Sequence, residues 1–385
     1  MLIKKIHRKI RNKSLAAYYK HYPALCDLRD KRVHGRVLVI ESDDWGSIRV
    51  PSLEVKHSLI AKGYDMDSRP FERCDTLENN RDMEELYNVL LKYKDSRDNH
   101  PVITANSLVC NPDFDRIRLS DYECYYFEPT SKTYLEYPDR EQVPDLVKKG
   151  IEMGVFLPQS HGREHFNYLN WIKQLQVGNK DALAVFEYKM CGIFPKSNPS
   201  QGNELLMALR YDSVEGKKAI ISSVSEGLDL FEKRFGYKSK TFVAPCYWWS
   251  TAIEEVLSDR GVKMIQTDRA CSDCETGRTY YHYSGEKNKW GQFYSVRNCM
   301  FEPAISRDEN EAERCLGQIE SAFEKKKVAI VSSHRINFVG GIIPENRDIT
   351  LRQLDWLLSK VIKKYPDVEF MTSEALYNRI YCHVQ

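Results

Sequence analysis

Two adjacent carboxylates, Asp43 and Asp44, follow the apolar run RVLVIES and precede Trp45, Gly46 and Ser47. Such a pair also suits a solvated turn or a helix cap, so partners elsewhere decide its role. The candidates are His161 and His165 in HGREH, His334 closing VAIVSSH, Asp268 closing VKMIQTD, and the aromatic stretch after TFVAP. Two histidines four apart share one face of a helical turn and can hold one metal ion through their imidazole nitrogens. With Asp44 as a third ligand the set is Asp-His-His, which leaves the open position a catalytic site needs. One divalent ion would fit, zinc first, with cobalt, nickel or iron as alternatives. It would lower the pKa of water toward about 7 and polarise a carbonyl. Asp43, beside the ligand yet free of the ion, then reads as the general base, and His334 as the acid that protonates the leaving group. Asp268 is the candidate to orient His334, a turn residue being the plainer alternative.

These residues need elements to bring them together. RVLVIES, PVITANSLV, VFLPQSH, KTFVAP, VKMIQTD, KVAIVSSH and DVEFMT read as strands. Between them lie helical patterns, among them LENNRDMEELYNVLLKY, REQVPDLVKKGIEMG, ENEAERCLGQIESAFEKKK and SVEGKKAIISSVSEGLDLFEKRFG, the last with Gly236 as its stop. Regular alternation predicts parallel strands joined by crossover helices, an α/β fold of the (β/α) barrel kind, irregular or incomplete. Chemistry in such folds collects at the carboxyl ends of strands. Four strands here end in polar residues of the right types. The pieces from Tyr122 to Tyr137 and from Cys271 to Gly291 read as insertions or long loops.

The ordered set of Asp-Asp after the first strand, His-x-x-x-His after a middle strand, a Pro-aromatic segment and a late strand ending in Ser-His resembles the polysaccharide deacetylase family, the NodB-homology carbohydrate esterases. The likeness runs from about Arg36 to Leu376 and takes in the TSEAL ending. It implies a distorted barrel over residues 36–385 that removes an acyl group, usually acetyl, from an amino sugar or sugar ester with the help of a metal. By position, Asp43 matches the base, Asp44, His161 and His165 the metal triad, His334 the acid, and Asp268 the carboxylate that tunes the acid. Two departures stand out. Val243 occupies the place, two before Pro245, where the family carries an arginine; Arg163 or Arg335 are the candidate replacements. Cys246 replaces an aromatic, which a backbone oxyanion donor tolerates.

Tyr247, Trp248 and Trp249, with Trp45, offer faces for a sugar ring, although aromatics are also common core material. Arg335 and Asn337 follow His334, and Arg335 would suit a phosphate or carboxylate on the substrate, a salt bridge within the protein being the plainer reading. Three rival readings remain: a zinc peptidase using His161-x-x-Glu164-His165, a non-catalytic carbohydrate-binding relative, and a glycoside hydrolase on a similar barrel with two carboxylates and no metal.

With 42% hydrophobic and 29% charged residues the 385-residue chain is globular, long enough for one large barrel or two domains. A net charge of +2 gives no field for nucleic acid. The first 35 residues form a separate basic segment, whose Ile3, Ile6 and Ile10 fall at helical spacing among lysines and arginines. Residues 1–22 can lie on an anionic membrane surface or simply face water or a partner. Eleven scattered cysteines fit a reducing compartment, and no run reaches the roughly 20 apolar residues of a membrane span, so a cytoplasmic place is expected, with peripheral membrane contact as the variant. Nothing in the sequence sets an oligomeric state.

Overall fold

A computed structural model describes residues 22, 24–192 and 204–382; the basic residues Lys4 to Lys20, and with them the expected membrane contact, lie outside the described residues. The apolar runs form nine strands: β1 (Arg36–Trp45), β2 (Ile103–Ser107), β3 (Phe156–Ser160), β4 (Thr241–Val243), β5 (Met264–Thr267), β6 (Phe293–Val296), β7 (Cys299–Met300), β8 (Ala329–His334) and β9 (Val368–Met371). They assemble into one sheet in the order β6-β5-β4-β3-β2-β1-β8-β7, with β9 also on β1. Every pairing is parallel. β8 runs along one edge of β1, while β9 and β2 divide the other, at Arg36–Val39 and from Ile40 onward. The end strands β6 and β7 do not pair with each other, so among the described residues no barrel closes.

Among the crossover helices are α1 (Pro70–Cys74), α2 (Asn80–Leu90), α3 (Val143–Glu152), α4 (Val214–Phe235), α5 (Glu311–Glu324) and α6 (Pro344–Lys364). Local chemistry sets their ends. α2 opens with a capping box between Asn79 and Asp82, and α4 stops at Gly236, whose φ of 80° is costless only for glycine. Leu38, Ile40, Ile103 and Phe156 of the sheet pack on Met83 and Leu86 of α2, Leu146 of α3, Ile319 of α5 and Leu354 and Leu358 of α6. Each such side chain contributes about 1.5–3 kcal/mol by leaving water. The core is therefore helix against sheet.

Polar residues instead meet across β1, β2, β3 and β5. Asn106 donates to Gln266 Oε1 at 2.7 Å, and Gln159 Oε1 accepts from the Thr241 and Lys240 amides at 2.9 and 3.0 Å. The two stretches expected to be loops carry structure: Phe127–Pro129 pairs antiparallel with Cys110–Pro112 ahead of a helix at Thr130–Glu136, and Ala270–Asp273 pairs with Thr279–Tyr281. Among the described residues no helix is long and apolar enough to cross a membrane.

Candidate active site

Neighbouring residues of a regular strand point to opposite faces, so an Asp pair would ordinarily split. β1 avoids this by a break. Its register with β2 slips between Ser42 and Trp45, and Asp44 takes a φ of 76°. A bulge at a strand end re-aims a side chain, and here it lets both carboxylates serve one site. Asp43 keeps its register opposite His334 of β8.

Asp44 Oδ1 lies 3.1 Å from His165 Nε2 and 3.4 Å from His161 Nε2, and one ligand atom from each of the three side chains falls within 4.8 Å of the others. HGREH is not helical, which corrects the expected reason for the two rings meeting. They meet because the loop after β3 folds back, with Gly162 at a φ of 102°. His161 Nδ1 donates to the Val243 carbonyl at 2.9 Å, which leaves Nε2 as the free lone pair. Val243 thus serves through its backbone. Burial holds His165 down to about 3 against the pull of Asp44, while contacts with His165, His161 and Arg49 outweigh burial and keep Asp44 well below the carboxylate range. Asp44 Oδ1 and His161 Nε2 are buried without a hydrogen-bond partner. An ionised carboxylate, neutral imidazole and orphaned polar atoms are the donor set a divalent cation would satisfy.

Asp43 is gripped differently. Arg297 donates to both its oxygens at 2.7 Å, and Asn106 adds a third bond at 2.7 Å. Burial alone would raise this carboxyl, but Arg297 outweighs it and holds it far below its usual range. Arg297 also binds Glu41 Oε2 at 2.8 Å and Tyr247 Oη at 2.9 Å. Arg297 therefore takes the place proposed for Arg163 or Arg335. Arg163 is engaged by Glu164 and Glu226, and Arg335 by Asp75 and Glu78.

His334 Nε2 stands 3.9 Å from Asp43 Oδ2, while its Nδ1 faces Glu302 Oε1 at 2.6 Å. Burial would lower the imidazole, yet Glu302 and then Asp43 raise it to about 10. Glu302, not Asp268, is the carboxylate that faces His334; Asp268 is exposed and accepts from the Arg269 amide at 2.6 Å. Both Arg297 and Glu302 escaped the sequence reading. The signal existed, since FYSVR and CMFE are short apolar runs closing on a charged residue, the rule that found the other strand ends.

The expected substrate contacts divide. Cys246 is exposed, Tyr247 and Trp248 are partly buried, and both Cys246 and Tyr247 have positive φ, a local strain that turns this loop toward Arg297. Arg335 and Asn337 are fully buried, so neither meets substrate. Asn337 instead donates to Glu302 Oε2 at 2.7 Å and to the His334 carbonyl at 3.0 Å, fixing the carboxylate that faces His334. Trp45 and Trp249 are core, their indole nitrogens bonded to Ser42 and Glu254. Glu164, the base of the peptidase alternative, is locked by Arg163 at 2.6 and 2.9 Å and by Ser223, so that reading falls.

A model of glycosyl hydrolase family 57 matches residues 127–290, less than half of the chain. That span carries His161 and His165 but not Asp43, Asp44, Arg297, Glu302 or His334. No curated protein matches the sequence. Similar solved structures include the 4-alpha-glucanotransferase from Thermococcus litoralis, at 12% identity and a TM-score of 0.42, covering 90% of this chain and 41% of that one. Others are the Xyl-CE4 domain of a multidomain xylanase from the hindgut metagenome of Trinervitermes trinervoides (8% identity, TM-score 0.36, 90% of this chain, 91% of that one) and the peptidoglycan deacetylase PdaC from Bacillus subtilis (10%, 0.38, 90% and 91%). The chain spans under half the length of the glucanotransferase. The family match corrects the expected deacetylation of an amino sugar or sugar ester, together with the carbohydrate esterase and NodB assignment, since the matching model describes glycosyl hydrolases. An enzyme acting on carbohydrate is what the match supports.

Proposed function

We propose that this protein cleaves or transfers a glycosidic bond at a centre built from Asp44, His161 and His165 as the seat of one divalent cation, with Asp43 and His334 handling protons. The observation that carries the reading is the buried Asp-His-His set, with Asp44 Oδ1 and His161 Nε2 unpartnered, beside a carboxylate and an imidazolium. When bound, the ion would supply Lewis-acid activation of an oxygen at neutral pH. His334, charged at neutral pH and held by Glu302, donates its Nε2 proton to the leaving oxygen. Asp43, ionised and fixed by Arg297, accepts the proton of the attacking hydroxyl, from water in hydrolysis or from a sugar in transfer. At 3.9 Å the two groups are closer than the roughly 5–5.5 Å or 6.5–9.5 Å of two-carboxylate glycosidases. They work as one pair on one side of the bond, which makes the Asp-His-His set necessary on this reading. Tyr247, partly buried and bonded through its hydroxyl to Arg297 at 2.9 Å, leaves aromatic surface for a sugar ring.

The test uses purified protein loaded with zinc and a panel of nitrophenyl glycosides and oligosaccharides. Bond cleavage should vanish on chelation and return with zinc, and Asp44→Ala should lose both metal and turnover. Asp43→Asn and His334→Ala should keep about one ion and lose turnover. Glycoside cleavage that survives complete chelation, or metal-loaded protein that cleaves no glycoside, would overturn the reading.

A further inference from the structure

Beside His165 lies a partly open cavity of about 280 Å³, lined by Arg49, Phe71, Glu72, His165, Phe166 and Met190 among others. Its size is near the lower end of small-molecule sites, roughly 300–1,000 Å³, which suits one ring better than a chain. Much of its wall is aliphatic or aromatic, and four charged side chains interrupt it, two of each sign: Arg49, Arg69, Glu72 and Glu164. Glu72 on α1 is 8% exposed, and its Oε2 has no hydrogen-bond partner. A buried carboxylate oxygen without a partner is costly unless a ligand supplies one. Arg49 stands beside it, its Nη2 at 3.4 Å from both Asp44 Oδ2 and His165 Nδ1, and its guanidinium 5.4 Å from the Phe71 ring. Phe71 in turn sets its edge against His334, ring centres 5.9 Å apart. One cavity therefore touches the cation seat through Arg49 and His165 and the proton donor through Phe71.

We propose that this cavity is the subsite for one uncharged sugar ring of the substrate, with Glu72 accepting from a ring hydroxyl, Arg49 donating to a neighbouring one and Phe71 covering an apolar ring face. This rests on the carbohydrate reading above. Charge selects against other ring types. A uronate or sugar phosphate would meet the Glu72 and Asp44 carboxylates, and an amino sugar's ammonium would meet Arg49 and Arg69, so a charged ring of either sign meets like charge in a lining that carries both. A hydroxyl both donates and accepts, so it satisfies the pair without adding charge.

Calorimetric titration of the zinc-loaded protein with methyl glucoside, methyl galactoside, glucuronate and glucosamine tests this. A methyl glycoside should bind more tightly than either charged sugar. Glu72→Met should weaken it about tenfold or more, as loss of a bond to a charged group does, and the isosteric Glu72→Gln less, both with unchanged zinc content. Binding of the charged sugars over the neutral ones, equal affinities in wild type and Glu72→Gln, or no methyl glycoside binding by the wild type would each overturn the inference. Glycoside cleavage with KM unmoved in Glu72→Gln would remove the subsite and leave the proposed function. Glu72-dependent sugar binding without cleavage would do the reverse.

Discussion

His334 carries a proton at neutral pH because Glu302 lies 2.6 Å from one ring nitrogen and Asp43 lies 3.9 Å from the other, with Phe71 closing the side. Its pKa is raised to about 10, so the donor form persists through neutrality and is lost as pH rises through that value. The same charge stabilises the fold fully below the unfolded value of about 6.5, and that contribution also fades as pH climbs through the raised one. Turnover should therefore hold to alkaline pH and then fall. Glu302→Gln should bring that falling limb down toward neutrality, whereas His334→Ala should cost about 10²–10⁴-fold at every pH. A pH–rate profile of the Glu302 variant that superimposes on the wild type would remove Glu302 from the role. Asp44, His161 and His165 were legible as polar residues closing apolar runs. Glu302 offers the same signal more faintly, because it follows a strand of two residues, Cys299–Met300, too short to register as a period.

The loop that carries His161 and His165 has no helical hydrogen bonds of its own to hold it, and α4 supplies the support. Gly227 of α4 abuts the chain at Arg163, where an added Cβ would come within 2.9 Å of the backbone nitrogen. Backbone cannot swing aside as a side chain can, so Gly227→Ala should push loop and helix apart. The expected cost is about 1–3 kcal/mol in urea unfolding, with reduced zinc content from a displaced His165. An unfolding midpoint and zinc stoichiometry equal to wild type would show that the loop holds its histidines without α4. The sequence identified α4 and its stop at Gly236 from apolar spacing, yet its contact with HGREH depends on a glycine facing inward, which spacing does not distinguish from one facing out. The bulge at Asp44 was hidden for a related reason. Strand periodicity reports the regular part of β1, and the functional carboxylates occupy the place where regularity stops.

The site also depends on how distant parts of the chain are tied under it. Arg335, fully buried one residue beyond His334, donates to Asp75 at 3.1 Å, to Glu78 at 3.0 Å and to the Ser47 carbonyl at 2.6 Å. It joins the end of β8, the turn between α1 and α2, and the segment leaving β1. From sequence it read as a substrate contact or, more plainly, as a salt bridge within the protein, because a polar residue past a strand end looks the same whether it points outward or is folded beneath the site. Burial lowers an arginine's preference for charge, but Asp75 and then Glu78 more than restore it, so Arg335 keeps its charge. Arg335→Leu would leave two carboxylates in the interior with their main partner gone, and breaking a buried pair this way costs about 3–5 kcal/mol. Asp75 also sits 3.5 Å from Arg49, which reaches Asp44 and His165, so the damage should spread to the cation seat as weaker zinc retention. Urea unfolding and zinc content of Arg335→Leu and Arg335→Lys measure both effects. The lysine variant should recover part of the stability by keeping the charge, but less of the geometry, because it cannot reach both carboxylates with a planar fork. Stability lost with zinc retention intact would confine Arg335 to the fold, and neither lost would mean that water reaches Asp75 and Glu78 once the arginine is gone.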